Sequence, residues 1–194
     1  PRAPIVLLKK KGGLAEGISP GLSTYGLLLP YTPLHHLLLR EVGRPLVMTS
    51  GNISGEPICR RNEEALEKLG GVADYFLLHN RPIAQRCDDS VVRVVAGGQS
   101  LIRRSRGYVP MPITLDRSLD LSILALGAEE NVSSCILMGD KAYMSQYIGD
   151  VETLETLTYL RDATQHIIDL INPSIEVIAC DLHPGFSTTR LARE

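Results

Sequence analysis

Two stretches of this sequence hold residue types that can bind an anion. The first is Thr49-Ser50-Gly51-Asn52-Ile53-Ser54-Gly55-Glu56-Pro57. Its glycines let backbone approach a ligand closely, and its hydroxyl and amide side chains supply hydrogen bonds. Delivered by a strand to a sheet edge, such a loop suits a nucleotide or phosphate. An ordinary polar turn has the same composition, and the stretch matches neither a P-loop nor a dinucleotide fingerprint. The second is Arg81, Arg86, Asp88-Asp89-Ser90 and Arg93, followed by Arg103-Arg104-Ser105-Arg106-Gly107-Tyr108. Guanidinium forks match phosphate oxygens, and a hairpin would gather several at one edge. A solvated basic face is the plainer alternative. Double-stranded RNA is another anion to weigh. Tyr108 is the only aromatic close to the Arg103–Arg106 cluster, so a base-stacking platform has little support.

Metal chemistry has less to stand on. His35 and His36 are neighbours on a helix and point apart, so they do not chelate one ion together. Cys59, Cys87, Cys135 and Cys180 are far apart, with no C-x-x-C, and are expected to be buried, reduced thiols. Asp181 and His183, in Asp181-Leu182-His183-Pro184-Gly185-Phe186-Ser187-Thr188-Thr189, follow a strand and read either as a second site or as a capped loop. No catalytic metal is expected within the chain.

The elements that must position these residues alternate without strict βαβ order. Residues 3–8 read as a buried strand and 12–24 as loop. Thr32-Pro33 starts a helix that Gly43 closes, with Leu34, Leu37 and Leu38 as its core face. Residues 45–49 form a second strand that feeds the Ser50 loop. Asn62 caps a helix ending at Gly70, and residues 75–78 form a third strand. Residues 91–95 and 100–104 flank a hairpin turn at 96–99. Pro110-Met111-Pro112 breaks the chain. Beyond it, strands at 122–127, 133–138 and 142–148 precede a helix at about 151–171, stopped by Asn172-Pro173, and a strand at 175–180. The fold class is therefore α/β: a mixed twisted sheet with helices, then a β-β-β-α-β subdomain of the actin-like or ribonuclease-H-like kind.

Composition agrees with two folding units. Of the 194 residues, 44% are hydrophobic and 22% charged, as in an ordinary globular protein. Residues 1–117 carry 16 Lys and Arg against 10 Asp and Glu, a net of +6, whereas residues 118–194 carry 4 against 12, a net of −8. A sign change of that size suggests two units with different tasks, the basic one suited to an anionic ligand. No apolar run is long enough to cross a bilayer, and no signal peptide opens the chain, so a cytoplasmic location without a membrane is expected. The sequence starts at Pro1, which points to a beginning inside a longer protein or after processing.

Several motifs together resemble the HypF family of hydrogenase-maturation carbamoyltransferases. They are Pro30-Tyr31-Thr32-Pro33-Leu34-His35-His36 and residues 48–59, 88–93, 103–110, 124–129, 145–150 and 181–188. The resemblance spans essentially the whole chain. It implies the C-terminal part of a YrdC-like domain at 1–112, a linker at 113–120, and the start of a TsaD/Kae-like carbamoyltransferase domain at 121–194. It further implies an ATP-dependent enzyme, with Mg, that forms carbamoyl-adenylate from carbamoyl phosphate. The carbamoyl group would pass to the C-terminal cysteine of the partner HypE, for the cyanide ligands of [NiFe]-hydrogenase. The resemblance also implies zinc and a second metal only in other parts of the full-length protein, and this fragment alone is expected to be inactive. By the resemblance, Ser50 and Asn52 match the adenylate loop, Ser90 a downstream hydroxyl, and Arg104 and Arg106 the phosphate-contacting arginine region. Gly127-Ala128-Glu129-Glu130-Asn131-Val132 departs from the family's usual Gly-Ala-Glu-Leu-Lys-Asn, and Tyr147 stands where relatives usually carry His. A YrdC-like module that binds double-stranded RNA or a nucleotide is the rival reading.

Overall fold

The computed structural model describes residues 2–194, and the chain divides into two compact units, Pro1–Thr49 with Asp89–Tyr108 and Ser50–Asp88 with Val109–Glu194. The first unit holds a four-stranded mixed sheet in the order β2-β1-β3-β4. Its strands are β1 (Ile5–Lys9), β2 (Thr24–Leu27), β3 (Val91–Val95) and β4 (Gly98–Arg103). β1 and β3 run parallel, and the outer pairs are antiparallel. Two positive-φ residues, Ala96 (50°) and Gly97 (79°), make the turn between β3 and β4. That geometry matches strand twist and sets the register, so β4 begins two residues earlier than the spacing suggests. Helix α1 (Pro33–Val42) is bounded as expected. The Thr32 hydroxyl accepts from the His35 amide at 3.1 Å, and Gly43 ends the helix at φ 67°, a conformation that favours glycine.

The second unit holds α2 (Asn62–Leu69) and a three-stranded mixed sheet in the order β6-β5-β7. β5 (Ile113–Leu126) lies between antiparallel β6 (Ser134–Met144) and parallel β7 (Ile175–Cys180). Helix α3 (Leu154–Ile171) opens on a reciprocal Thr153–Thr156 capping box and ends at Asn172, which adopts φ 51°. Ile167 of α3 packs with Leu124, Leu126 and Ile136 of the sheet. Leu160 and Ala163 pack with Val132, Ile148 and Val151. Fully burying a side chain such as Ile136 or Leu160 is worth about 1.5–3 kcal/mol, so this helix–sheet contact is the main store of stability here. A short helix α4 (Ser187–Leu191) follows β7. Among the described residues, no helix is long and apolar enough to cross a membrane.

The α/β class and both mixed sheets agree with the sequence reading, while several elements correct it. Residues 45–49 and 75–78 are not strands; Val47 and Tyr75 are among the most exposed apolar side chains, at 78% and 92%. An apolar run identifies a strand only when a neighbour supplies pairing. β2 begins at Thr24, the last residue of the stretch read as loop, and α4 begins inside the stretch read as a second site or a capped loop. The candidates at 133–138 and 142–148 merge into one strand, β6, which runs unbroken through Gly139 and ends at Met144, while the register shifts fall on β5 between Thr114 and Leu119 and between Leu119 and Ile123. Regular β5 structure starts at Ile113, inside the stretch read as a linker. On α1, Leu34, Leu37 and Leu38 are exposed rather than core. The four cysteines form no disulfide with one another, but Cys87 and Cys180 are exposed and Cys59 and Cys135 half-buried, so they are not buried as expected.

Candidate functional site

In the first unit, β3 and β4 carry the acidic Asp89-Ser90 step alongside the Arg104–Tyr108 segment. The fully buried Ser90 hydroxyl donates to the Arg106 carbonyl at 3.0 Å and accepts from the Ser105 amide at 2.8 Å. Arg106 spends its guanidinium on the protein. Nε donates to Asp89 at 2.6 Å, while Nη1 and Nη2 reach the carbonyls of Arg2 and Ala3 at 3.3 and 2.7 Å. Its plane lies over the Tyr31 ring, 3.7 Å from the centroid. Between these residues, Gly107 sits at φ 82°, where a Cβ would fall 2.6 Å from the Arg2 carbonyl oxygen. Only glycine fits.

Arg104 is differently placed. Nη2 donates to the Tyr108 carbonyl at 3.1 Å, and the guanidinium lies 5.9 Å from the Tyr108 ring, which Arg2 approaches at 4.7 Å. The Tyr108 hydroxyl is fixed by the Gln99 amide. Burial, and then the nearby Arg2 charge, hold the Arg104 guanidinium below its usual value. Two cations gathered at one buried aromatic ring make a position that an anion relieves.

The second unit holds the Ser50–Asn52 loop. The Asn52 amide nitrogen donates to the carbonyls of Ile53 and Glu56 at 3.0 and 2.9 Å, and the Cys59 amide donates to the Gly51 carbonyl at 2.9 Å. Gly55 turns the chain at φ 81°. Ser50 is exposed in this loop. Below it runs a charge network that the sequence reading missed. Glu56 pairs with Lys68 at 2.6 Å, Lys68 with Glu64 at 3.7 Å, and Glu64 with Arg86 at 3.3 Å. The hydrogen bond that Lys68 donates to Glu56 raises the lysine's value. At Glu64, burial pushes upward, but the Arg60 amide and the Arg86 and Lys68 charges outweigh it and hold the carboxyl below its usual range. Burial, with Glu64 nearby, pushes the Cys59 thiol up and makes it a poor nucleophile. The Glu64–Lys68 pair at i,i+4 was the signal available in the sequence.

Asp181 and His183 hold their own turn. The Asp181 carboxylate accepts from the His183 amide at 2.8 Å, and His183 Nδ1 accepts from the Gly185 amide at 3.2 Å. The imidazole stacks on Phe186 at 4.4 Å, and Glu129 accepts from the Ser187 amide at 2.8 Å, at the start of α4. These contacts fit the capped-loop reading. Among the described residues, no three His, Cys, Asp or Glu side chains are grouped as metal ligands. Of the predicted site residues, Ser90, Arg104 and Arg106 therefore share the first unit, Ser50 and Asn52 share a loop of the second, and Asp181 and His183 form a separate turn.

Comparison with known proteins gives these features a context. Residues 1–105 match the Sua5/YciO/YrdC family model, described as telomere recombination, and residues 118–194 match the HypF Kae1-like domain model. The chain is 48% identical to the probable carbamoyltransferase HypF of Methanocaldococcus jannaschii, with 100% of this chain aligned to 26% of that protein. It is 44% identical to the carbamoyltransferase HypF of Synechocystis, over 98% of this chain and 25% of the relative. A crystal structure of full-length HypF in its phosphate- and nucleotide-bound form superposes with a TM-score of 0.94 at 47% identity, covering 100% of this chain and 31% of that one. The chain thus spans about a quarter of the length of the curated relatives it matches. With a YrdC-like model followed directly by a HypF Kae1-like model, and close similarity to HypF throughout, this chain belongs to the HypF family.

Proposed function

We propose that the protein containing this chain is an ATP-dependent carbamoyltransferase of the adenylate-forming kind, and that Ser50, Asn52, Ser90, Arg104 and Arg106 belong to its nucleotide site. In this reading residues 1–112 belong to the YrdC-like domain and residues 121–194 to the carbamoyltransferase domain, joined through 113–120. The observation that carries it is the match over the whole chain to a HypF solved in a phosphate- and nucleotide-bound form. Carbamoyl phosphate is cleaved to carbamate and phosphate. A carbamate oxygen attacks the α-phosphorus of ATP, which enters as its Mg complex, and pyrophosphate leaves. The resulting carbamoyl-adenylate then gives its carbamoyl group to a cysteine thiolate, in this reading that of HypE, and AMP leaves.

These residues bind and orient rather than attack. Ser50 is exposed and supplies a hydroxyl at the loop. Asn52 keeps the loop's shape by donating from its side-chain nitrogen to the carbonyls of Ile53 and Glu56. Arg104, beside Arg2, supplies positive charge for the triphosphate, and that charge gains most from the extra negative charge of the transition state. Ser90 and Arg106 hold the Arg104–Tyr108 segment in place and serve the site through it. No step is assigned to a protein-bound metal. Asp181 and His183 are engaged in their own turn, and the described residues group no ligand set. Four cysteines outside any disulfide suit a reducing, cytoplasmic setting.

The test is product identification. Full-length protein incubated with ATP and carbon-labelled carbamoyl phosphate should form a labelled adenylate, and the label should move to HypE with release of AMP. ATP-independent, salt-sensitive binding of double-stranded RNA without labelled adenylate would favour the nucleic-acid reading instead.

A further inference from the structure

Arg86 makes two sets of contacts with different parts of the second unit. Its side chain grips the segment that follows the Ser50–Asn52 loop. Nε donates to the carbonyl of Ile58, next after the loop's Pro57, at 2.6 Å, and Nη2 pairs with Glu64 at 3.3 Å. Through Glu64 and Lys68 the contacts continue to Glu56, whose carbonyl accepts the Asn52 amide. Its own carbonyl faces the other way and accepts from Gln146 Nε2 at 3.0 Å and from the Tyr159 hydroxyl at 3.2 Å. Both donors are buried, and Tyr159 lies on α3. Burial raises the tyrosine's value, which keeps its hydroxyl a neutral donor. The guanidinium also lies 5.6 Å from the Tyr159 ring.

We propose that Arg86 is a positioning residue for the nucleotide site: its guanidinium sets the Ser50–Asn52 loop while its carbonyl fixes that grip to helix α3. The proposal rests on the adenylation reading above. Charge-assisted bonds to a backbone carbonyl and a partly buried carboxylate are among the strongest single contacts available to a loop. Glycine and small polar residues leave the Ser50 loop with little packing of its own, so its shape depends on such contacts. A side-chain substitution at Arg86 removes the grip on Ile58 and Glu64 but keeps the carbonyl that binds Gln146 and Tyr159. Tyr159→Phe keeps the guanidinium's grip and removes one of the two bonds to that carbonyl. The two roles are therefore separable.

The experiment is pyrophosphate–ATP exchange by the full-length protein with carbamoyl phosphate present, combined with thermal unfolding. Arg86→Met should raise the KM for ATP about tenfold, with kcat changed less than about threefold, as expected for loss of a binding geometry. Arg86→Lys, able to keep one of the two bonds, should recover part of that loss. Tyr159→Phe should lower the melting temperature and raise the KM for ATP less than about threefold, because Gln146 still holds the carbonyl. If Arg86→Met does not fold, Arg86→Lys and Glu64→Gln decide, each with a raised KM expected. An unchanged KM in the soluble Arg86 variants, with wild-type exchange intact, would overturn the positioning role alone. Absence of exchange in the wild type would instead overturn the adenylation reading, and this proposal with it.

Discussion

The guanidinium of Arg106 lies over the ring of Tyr31, 3.7 Å from its centroid, while its nitrogens bind Asp89 and the carbonyls of Arg2 and Ala3. One side chain thus joins the start of the chain, the segment before α1 and the two ends that flank the β3–β4 hairpin. Arg106→Lys keeps the charge but has no planar fork to stack on Tyr31 or to reach three acceptors. We expect it to lower stability by about 2 kcal/mol, read as a shift in the urea midpoint at unchanged slope. A loss under about 0.5 kcal/mol, the level of an ordinary surface change, would show that the stack and the carbonyl contacts carry no weight.

Gly107→Ala should be among the more damaging single-methyl changes in this chain. The residue has φ 82°, and the new Cβ would meet the Arg2 carbonyl oxygen at 2.6 Å. The left-handed backbone alone costs roughly 1–2 kcal/mol for a non-glycine residue, and the clash adds to it. Gly17 has open space around it and no positive φ, so Gly17→Ala is the matched control and should be nearly neutral. Equal melting temperatures for the two variants would contradict the close approach of residues 2 and 107.

Acid should weaken the loop's support through Glu64. Its carboxyl is held below the ordinary 4.5, net of burial, by the Arg60 amide and the Arg86 and Lys68 charges. A depressed folded value contributes stability that is present above the unfolded value and is lost as pH falls through the folded one. Wild type should therefore lose stability below about pH 4.5 more steeply than Glu64→Gln, which has no proton to take up there. The comparison is made by urea denaturation from about pH 6 down to about pH 3.5. Parallel curves would remove Glu64 from the acid response.

Much of the fold was legible where local chemistry decides it. Thr32-Pro33 and Gly43 bound α1, Asn172-Pro173 ends α3, and Ile175–Cys180 forms β7, because caps, proline and alternating apolar residues act within a few positions. What failed depended on distant partners. Residues 45–49 and 75–78 are apolar enough for strands, yet strand pairing is settled elsewhere in the chain. The break expected between the strands at 133–138 and 142–148 does not occur, because β5 stays paired with β6 across it and takes up the mismatch in its own irregular stretches. The candidate site divides in the same way. Motif residues 50, 52, 90, 104 and 106 were visible as residue types, whereas the partners that distinguish Arg104 from Arg106 are carbonyls, which no sequence displays. The Glu56–Lys68–Glu64–Arg86 network was hidden for a related reason: Glu64 and Lys68 are helix neighbours, but Glu56 and Arg86 reach them only through folding.

The central claim is that this chain contributes a nucleotide site that activates carbamate with ATP. It is tested most directly by pyrophosphate–ATP exchange in full-length protein, with and without carbamoyl phosphate, comparing wild type with Arg104→Ala. Exchange should require carbamoyl phosphate. The variant should lose roughly ten- to a hundredfold in kcat/KM for ATP, the cost of about 1.5–3 kcal/mol for a lost charge-assisted phosphate contact. Exchange that is independent of carbamoyl phosphate, or unchanged in Arg104→Ala, would contradict the account.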